Sequence, residues 1–152
     1  LDETKGEIIL KKYYNIGLSV QTEDGLTAPV VKGVDGKSIL EIAKEIGNRA
    51  GEARTLHQIG RIYQLANRFD EALKNYNQSL EMKKEIGDRA GEAATLHHIG
   101  MVYEDTNCLD EALENYNQSL KIVQETCDEA GIKANNEAIA ALEEKMKRDK
   151  AS

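Results

Sequence analysis

The chain has few of the residues that mark secreted, membrane-spanning or nucleic-acid-binding proteins. Its 152 residues include no tryptophan, one proline and two cysteines. Cys108 and Cys127 form no CxxC pair, which predicts reduced thiols rather than a zinc site or a disulfide framework. No apolar run approaches the roughly 20 residues of a membrane-spanning helix, and the acidic start at Leu1 lacks the apolar stretch of a signal peptide. A net charge of -7 argues against general binding to nucleic acid, so we expect a cytoplasmic protein that binds neither nucleic acid nor membrane.

A duplication occupies the centre of the chain. Residues 45–84 and 85–124 share 25 identical positions at an offset of 40 residues. A repeat of this length is typical of stacked architectures, in which each unit buries its apolar face against the next. Stacked helices present an extended surface rather than a closed pocket, so the duplication predicts a binding protein rather than an enzyme.

Within the duplication the apolar spacing is helical. Leu56, Ile59, Ile62 and Tyr63 fall at i, i+3, i+6 and i+7, and the second copy repeats this pattern. A polar break interrupts this pattern. Asp70 or its neighbour, at the end of the break, is predicted to cap the next helix. The spacing predicts helices over 50–66, 70–86, 90–106 and 110–126, and a last helix over about 131–148.

The residues before the duplication have a different pattern. Over residues 7–34, two runs rich in β-branched and aromatic residues flank Asp24-Gly25, which predicts a β-hairpin. Pro29 cannot donate to a strand ladder and is expected at an edge or bulge. Ser38 is predicted to cap a linking helix that begins near Ile39. The predicted fold is mainly α, with boundaries at 1–44 (hairpin and linking helix), 45–126 (two helix-turn-helix units) and 127–152 (capping helix and charged tail).

Small and aromatic residues recur at fixed places in both copies. In the first copy they are Leu56, Ile59, Gly60, Tyr63, Ala72, Tyr76 and Ser79. This spacing resembles the tetratricopeptide repeat (TPR), a pair of antiparallel helices, although the period is 40 rather than the usual 34 residues. The resemblance implies that Gly60 and Ala72 let the two helices approach closely, and that the family's alanine is replaced by Ser79 and Ser119. Residues 127–148 look like a decayed third first-helix that acts as a solvating cap.

The TPR family binds peptides or protein surfaces on a concave face lined by the first helices of its units. Carried over by position, the residues expected on that face are Arg54, His57, Arg61, Gln64, Ala94, His97, Met101 and Glu104. The alternative is that they form only the solvated face of a short stack. The paired Lys and Asn residues with which some members clamp a C-terminal carboxylate are not evident here.

Residues 2–46 carry a second resemblance. The stretches 11–20, 22–26, 29–32 and 37–43 are similar to an internal piece of the catalytic domain of dihydrolipoyl acyltransferases, the core subunits of 2-oxoacid dehydrogenase complexes. That family transfers acyl groups between lipoamide and coenzyme A, using a His-x-x-x-Asp-Gly motif. No such motif begins at His57, His97 or His98. Without the base that activates the coenzyme A thiol, we expect no enzymatic activity, no catalytic residue and no cofactor.

The two resemblances meet in one helix. Residues 40–47 align with residues 80–87, so the linking helix satisfies the acyltransferase pattern and the repeat pattern together. The chain therefore reads as a fusion of two unrelated genes. Its front piece is expected to cap the first repeat with apolar hairpin residues such as Ile8, Leu10, Ile16 and Leu18. Three hypotheses stay open: a repeat scaffold for an unidentified protein or peptide, a chimera without evolved function, and an inactive acyltransferase remnant.

Two further features bear on partners. His97 and His98 are adjacent and point about 100° apart on a helix, whereas zinc sites need three or four well-placed ligands, so no metal site is expected. A hairpin edge can pair with another chain, and a short stack has an open end. Either surface could support a homodimer.

Overall fold

The computed structural model describes the backbone of residues 15–17, 20–22, 25–27, 30–32, 38, 40, 41, 44 and 47–151. Side chains are described at 38, 40, 41, 44 and 47–149. The chain divides into two compact units, Leu1–Asn48 and Arg49–Ser152. The apolar residues Ile8, Leu10, Ile16 and Leu18, expected to cap the first repeat, lie outside the described side chains.

The second unit is a run of five helices. They are α1 (Arg49–Leu65), α2 (Phe69–Glu85), α3 (Arg89–Asp105), α4 (Leu109–Glu125) and α5 (Glu129–Ala151). The starting residues 49, 69, 89, 109 and 129 are 20 apart, and the first four helices have 17 residues each. The predicted bounds of these four are each one residue late, and α5 extends beyond its predicted range at both ends. The mainly helical architecture is confirmed.

Each connection between helices contains one residue with positive φ. These residues are Asn67 (φ 56°), Gly87 (φ 71°), Asn107 (φ 61°) and Cys127 (φ 56°). A left-handed residue ends an α-helix and suits glycine or asparagine. Cys127 is the equivalent of Gly87, 40 residues further along the chain. It therefore adopts a left-handed backbone conformation that costs less free energy for glycine than for a residue with a side chain.

Aspartates cap α3 and α5. The carboxylate of Asp88 accepts a 2.9 Å hydrogen bond from the Gly91 backbone, and Asp128 does the same for Gly131 at 3.1 Å. The prediction that Asp70 or its neighbour caps the second helix is wrong. That helix begins one residue earlier than predicted, its N-cap Arg68 makes no side-chain capping bond, and Asp70 lies in the first turn, where its charge favours the helix dipole.

Before the helical unit, Ser38 forms the predicted cap. Its Oγ accepts a 3.3 Å hydrogen bond from the Glu41 backbone amide, and its own amide donates 2.7 Å to the Glu41 carboxylate. This reciprocal pair is a capping box, and it places the start of the linking helix where the sequence predicts it.

Within each repeat, a tyrosine packs on a glycine. A Cβ atom at Gly60 would lie 2.8 Å from the ring of Tyr76, and one at Gly100 would lie 2.8 Å from Tyr116. Both tyrosines are buried. The small residue therefore allows the two antiparallel helices to approach closely, as the repeat spacing predicts.

A continuous core joins the repeats to the last helix. Leu80 of α2 packs with Leu96, Ile99 and Val102 of α3, and the cluster extends to Ile122 and Val123 of α4. A second cluster of Ala112, Tyr116 and Leu142 joins α4 to α5. No helix among the described residues is both long and apolar enough to cross a bilayer.

The described residues of the first unit include four short strands, β1 (Asn15–Gly17), β2 (Val20–Thr22), β3 (Gly25–Thr27) and β4 (Val30–Lys32). β1 pairs with β4 and β2 pairs with β3, both antiparallel. Asn15 faces Lys32 and Thr22 faces Gly25, so the partner numbers sum to 47 in both pairs. The two pairs therefore share one antiparallel register over the described residues.

Candidate functional site

The first helices of the units lie side by side. Two equivalent bonds, 40 residues apart, join them: His57 Nδ1 lies 3.1 Å from Thr95 Oγ1, and His97 Nδ1 lies 3.1 Å from Asn135 Oδ1. Gln64 also donates to Asp105 at 3.2 Å. These bonds place α1, α3 and α5 next to one another, and we call their shared exposed surface the inner face.

A buried lysine adds a polar contact between the repeats. Lys83 Nζ donates to Thr95 Oγ1 at 2.8 Å and to the Gly91 carbonyl at 3.2 Å. Thr95 Oγ1 gives its single proton to the same carbonyl, so His57 must donate from Nδ1. Burial lowers the pKa of Lys83, Asp88 opposes this, and Arg54 adds to it. His57, expected on the concave face, is thus buried and bonded between repeats.

A layer of aromatic rings lies beneath the inner face. His57 packs edge-on against His98, with ring centroids 5.0 Å apart, and Tyr76 stacks on His98 at 5.7 Å. Burial is the main cause that lowers the pKa of His57 to about 3 and that of His98 to about 4. Both rings are therefore neutral at pH 7. They contribute shape and packing to the inner face rather than positive charge.

The larger cavity of the inner face has a volume of about 350 Å³ and opens between the C-terminal halves of α1 and α3. It gathers three of the predicted residues, Arg61, Gln64 and Met101. Its other lining residues are Leu65, Asn67, His98 and Asp105. Leu65, His98 and Asp105 lie three or four positions from a predicted residue on the same helix. The rule that i+3 and i+4 positions share a helix face could have found them.

The smaller cavity has a volume of about 160 Å³ and lies where α3, α4 and α5 meet. It contains the predicted residues Ala94 and His97. Four alanines and Val123 form the apolar part of its wall, and His97, His98, Ser119, Asp128 and Asn135 form the polar part.

Three predicted residues, Arg54, His57 and Glu104, lie outside both cavities. Arg54 is exposed on α1. Glu104 accepts a 2.9 Å hydrogen bond from the hydroxyl of Tyr116, and Gln64 accepts one of 3.0 Å from Tyr76. Burial raises the pKa of Tyr76 to about 12, so that hydroxyl stays a donor. Glu104 and Gln64 are therefore held by the tyrosines of their own repeats.

The inner face combines two guanidinium groups (Arg54 and Arg61), carboxylates (Glu104 and Asp105), amide groups and exposed apolar side chains. Within the described residues, His, Cys, Asp and Glu form no group of three that could hold a metal ion. Hydrogen bonding, charge pairing and apolar contact are the chemistry that these groups offer to a ligand.

Comparison with known families identifies two kinds of segment. Residues 37–85 and 93–124 each match a family model described as tetratricopeptide repeat. Residues 1–58 match the model described as 2-oxoacid dehydrogenases acyltransferase (catalytic domain). Both resemblances drawn from the sequence are confirmed, and the two matches overlap over residues 37–58.

Curated relatives match the front segment. The dihydrolipoyllysine-residue acetyltransferase component of the pyruvate dehydrogenase complex of Bacillus subtilis is 48% identical over 54 residues, which cover 36% of this chain and 12% of that protein. The succinyltransferase component of the 2-oxoglutarate dehydrogenase complex of Staphylococcus saprophyticus is 52% identical over 48 residues, covering 32% and 11%. The chain thus spans only 11% to 12% of the length of these relatives.

One solved structure shares the helical fold. The crystal structure of BtubC (BKLC) from P. vanneervenii aligns with a TM-score of 0.55 at 20% sequence identity. The alignment covers 74% of this chain and 52% of that chain. At this identity the likeness concerns the fold alone.

Proposed function

Because the chain carries two tetratricopeptide repeats, we propose that it is a non-enzymatic scaffold that binds a peptide or protein segment on its inner face. The observation that carries this proposal is the larger cavity, where Arg61, Leu65 and Met101 of two neighbouring helices converge. Leu65 is 82% exposed. Met101, which lines the same cavity, is 36% exposed, and exposed apolar side chains that lie together within a polar rim mark interaction surfaces.

The inner face is held in shape before any ligand arrives. The bonds His57–Thr95, His97–Asn135 and Gln64–Asp105 fix the inner helices against one another. A ligand would then bind without ordering these elements, and binding to a preorganised surface has a smaller entropic cost. Arg54 and Arg61 remain exposed on α1 and are the groups we expect to contact the ligand.

The test is peptide selection against the 152-residue chain, followed by affinity measurement. A random peptide library displayed on phage is panned on the immobilised chain, and selected peptides are titrated by fluorescence polarisation. We expect Arg54→Ala with Arg61→Ala to weaken binding about tenfold or more. The matched control is Lys74→Ala with Lys121→Ala, which removes the same charge from exposed positions of α2 and α4 and should leave affinity unchanged. Equal losses in both variants, or no selected peptide, would contradict the proposal.

A second candidate concerns the origin of the chain. We infer a chimera in which the acyltransferase-like segment has no catalytic role, supported by the overlap of the two family matches over residues 37–58. The sequence also lacks a His-x-x-x-Asp-Gly motif at any of its three histidines. The chain should show no coenzyme A-dependent acetyl transfer to dihydrolipoamide. Turnover above that of a heat-denatured sample would overturn this inference.

Partners and location complete the proposal. Ile62 on α1 is 65% exposed, whereas its copy Val102 on α3 is 0% exposed, which supports the open end of the stack as a surface for a homodimer. The hairpin edge is the other candidate surface for a homodimer. We also propose that the protein is located in the cytoplasm. Light scattering of the chain beside Ile62→Asp tests the first surface, because a dimer at the open end should dissociate in that variant.

A further inference from the structure

The smaller cavity has an apolar wall built by four alanines. Ala90, Ala93, Ala94 and Ala134 line it, with Val123 at its side, and we call it the alanine well. In the first repeat the positions of Ala94 and Val123 are occupied by Arg54 and Lys83, so the equivalent place in that repeat carries two cationic side chains. Its volume of about 160 Å³ suits one aliphatic side chain, since apolar cavities of about 150 Å³ accept a benzene-sized group.

Three polar side chains in the wall of the well, His97, Ser119 and Asp128, already have partners, whereas Nδ1 of His98 is buried without one. His97 is bonded to Asn135 at 3.1 Å, and the hydroxyl of Ser119 donates to the Ala93 carbonyl at 2.9 Å. The carboxylate of Asp128 accepts from the Gly131 amide. A polar ligand group entering the well would lose its bonds to water and find these partners engaged, which is costly. An apolar group gains by the same transfer.

The other end of the inner face is cationic. Arg54 and Arg61 are exposed on α1, and Lys83 lies behind them. Besides a neighbouring histidine in each case, the charges that act on His57 and His98 are those of Lys83 and Arg61, both positive. Asp105, the carboxylate of the larger cavity, accepts a hydrogen bond from Gln64. Positive charge on α1 therefore favours an anionic group of the ligand at that end.

We propose that the inner face selects an acidic peptide segment, with an aliphatic side chain in the alanine well and a carboxylate against Arg54 and Arg61. This rests on the proposed function and adds the chemistry of its ligand. Packed helices lie about 8–10 Å apart, and an extended chain rises about 3.3 Å per residue. The acidic and the aliphatic residue are then about three positions apart in the ligand.

The experiment uses the phage-selected peptides and the whole chain. The selected sequences should share Asp or Glu about three positions from Leu, Ile or Val. Replacing the aliphatic residue by serine in a synthetic peptide should weaken binding about tenfold, and so should Ala94→Leu, which fills the well. Ala140→Leu, at an exposed position of α5, is the matched control and should bind normally. Circular dichroism of each variant establishes that it is folded.

The outcomes separate this inference from the proposed function. If selected peptides lose affinity with Arg54→Ala and Arg61→Ala but tolerate the serine replacement, the inner face binds peptides and the alanine well is not their site. Selected peptides rich in Lys or Arg would overturn the acidic ligand class. If no peptide is selected, the proposed function fails as well. The serine replacement is made in the peptide, so it decides the matter even if Ala94→Leu does not fold.

Discussion

The hydroxyl of Ser79 donates a 2.7 Å hydrogen bond to the backbone carbonyl of Ala53. Ser119 repeats this bond with Ala93 at 2.9 Å. Both serines are buried, and each bond ties the second helix of a repeat to its first. These serines stand where the family pattern has alanine, so the hydroxyl adds a specific bond at a position that otherwise needs only a small residue.

Removing that hydroxyl should destabilise the fold. We expect Ser79→Ala to lower the free energy of unfolding by about 1 kcal/mol, the usual net value of one buried hydrogen bond. Urea denaturation followed by circular dichroism measures the change. Gln78→Ala, an exposed neighbour on the same helix, should change it by less than about 0.5 kcal/mol. If Ser79→Ala leaves the free energy of unfolding unchanged, the hydrogen bond adds nothing to stability.

A methyl group at Gly60 should also be unfavourable. The added Cβ would lie 2.8 Å from the ring of Tyr76, and overpacking costs about 1–3 kcal/mol, more than the gain of up to about 1 kcal/mol in helix propensity. We expect a net loss of up to about 2 kcal/mol for Gly60→Ala. A double-mutant cycle with Tyr76→Leu is the control, because the penalty should shrink once the ring is gone. If Gly60→Ala costs as much in the Tyr76→Leu background as in the original chain, the tyrosine ring is not the cause of the loss.

Replacing Cys127 by glycine should stabilise the chain. Its φ of 56° costs a residue with a side chain about 1 kcal/mol more than glycine. Cys127→Gly should therefore raise the free energy of unfolding by about 0.5–1 kcal/mol. Cys127→Ala serves as control, since it removes the thiol but keeps the strain. Equal stability of the glycine and alanine variants would contradict the argument from φ.

Acidification should weaken the fold before the carboxylates titrate. Burial lowers the pKa of His57 to about 3 and that of His98 to about 4, from an ordinary 6.5. The unfolded chain thus binds more protons than the folded chain between pH 6.5 and about 4, so stability falls as the pH is lowered through that window. From pH 7 to pH 5 we expect a loss of about 2 kcal/mol per histidine.

The measurement is urea denaturation at pH 7, 6 and 5. His57→Gln and His98→Gln should each flatten the pH dependence, because each removes one group that binds a proton between pH 7 and 5 in the unfolded chain but not in the folded one. If the stability of the double variant still falls steeply between pH 7 and 5, groups other than these two histidines cause the pH dependence.

Periodicity predicted the helices because their apolar positions repeat regularly. The bounds of the first four helices are within one residue, and Tyr76 and Tyr116 are buried as their spacing indicates. Ile62 shares the apolar pattern of its copy Val102 but is largely exposed, whereas Val102 packs in the cluster with Leu80 of α2. Burial of a patterned residue depends on which helix lies against it, and the pattern itself does not contain that information.

Less of the candidate site than of the fold could be predicted from the sequence. The positions carried over from the family grouped Arg61, Gln64 and Met101, and all three line the larger cavity. They also placed His57 on the open face, although its ring is buried against Thr95 and His98. The direction of a side chain at the edge of a helix face depends on local bonds, and here the bond partner is 38 residues away.

The uniform 20-residue spacing of the helices has a consequence for how the protein is made. The bonds between helices join residues near in sequence, 12 apart for Tyr76–Gln64, 26 for Ser79–Ala53 and 41 for Gln64–Asp105. Short loops close quickly, and proteins of low contact order fold fast. Each helix of the stack can therefore find its partners once about 40 further residues have left the ribosome. Folding can keep pace with synthesis from the first repeat onward.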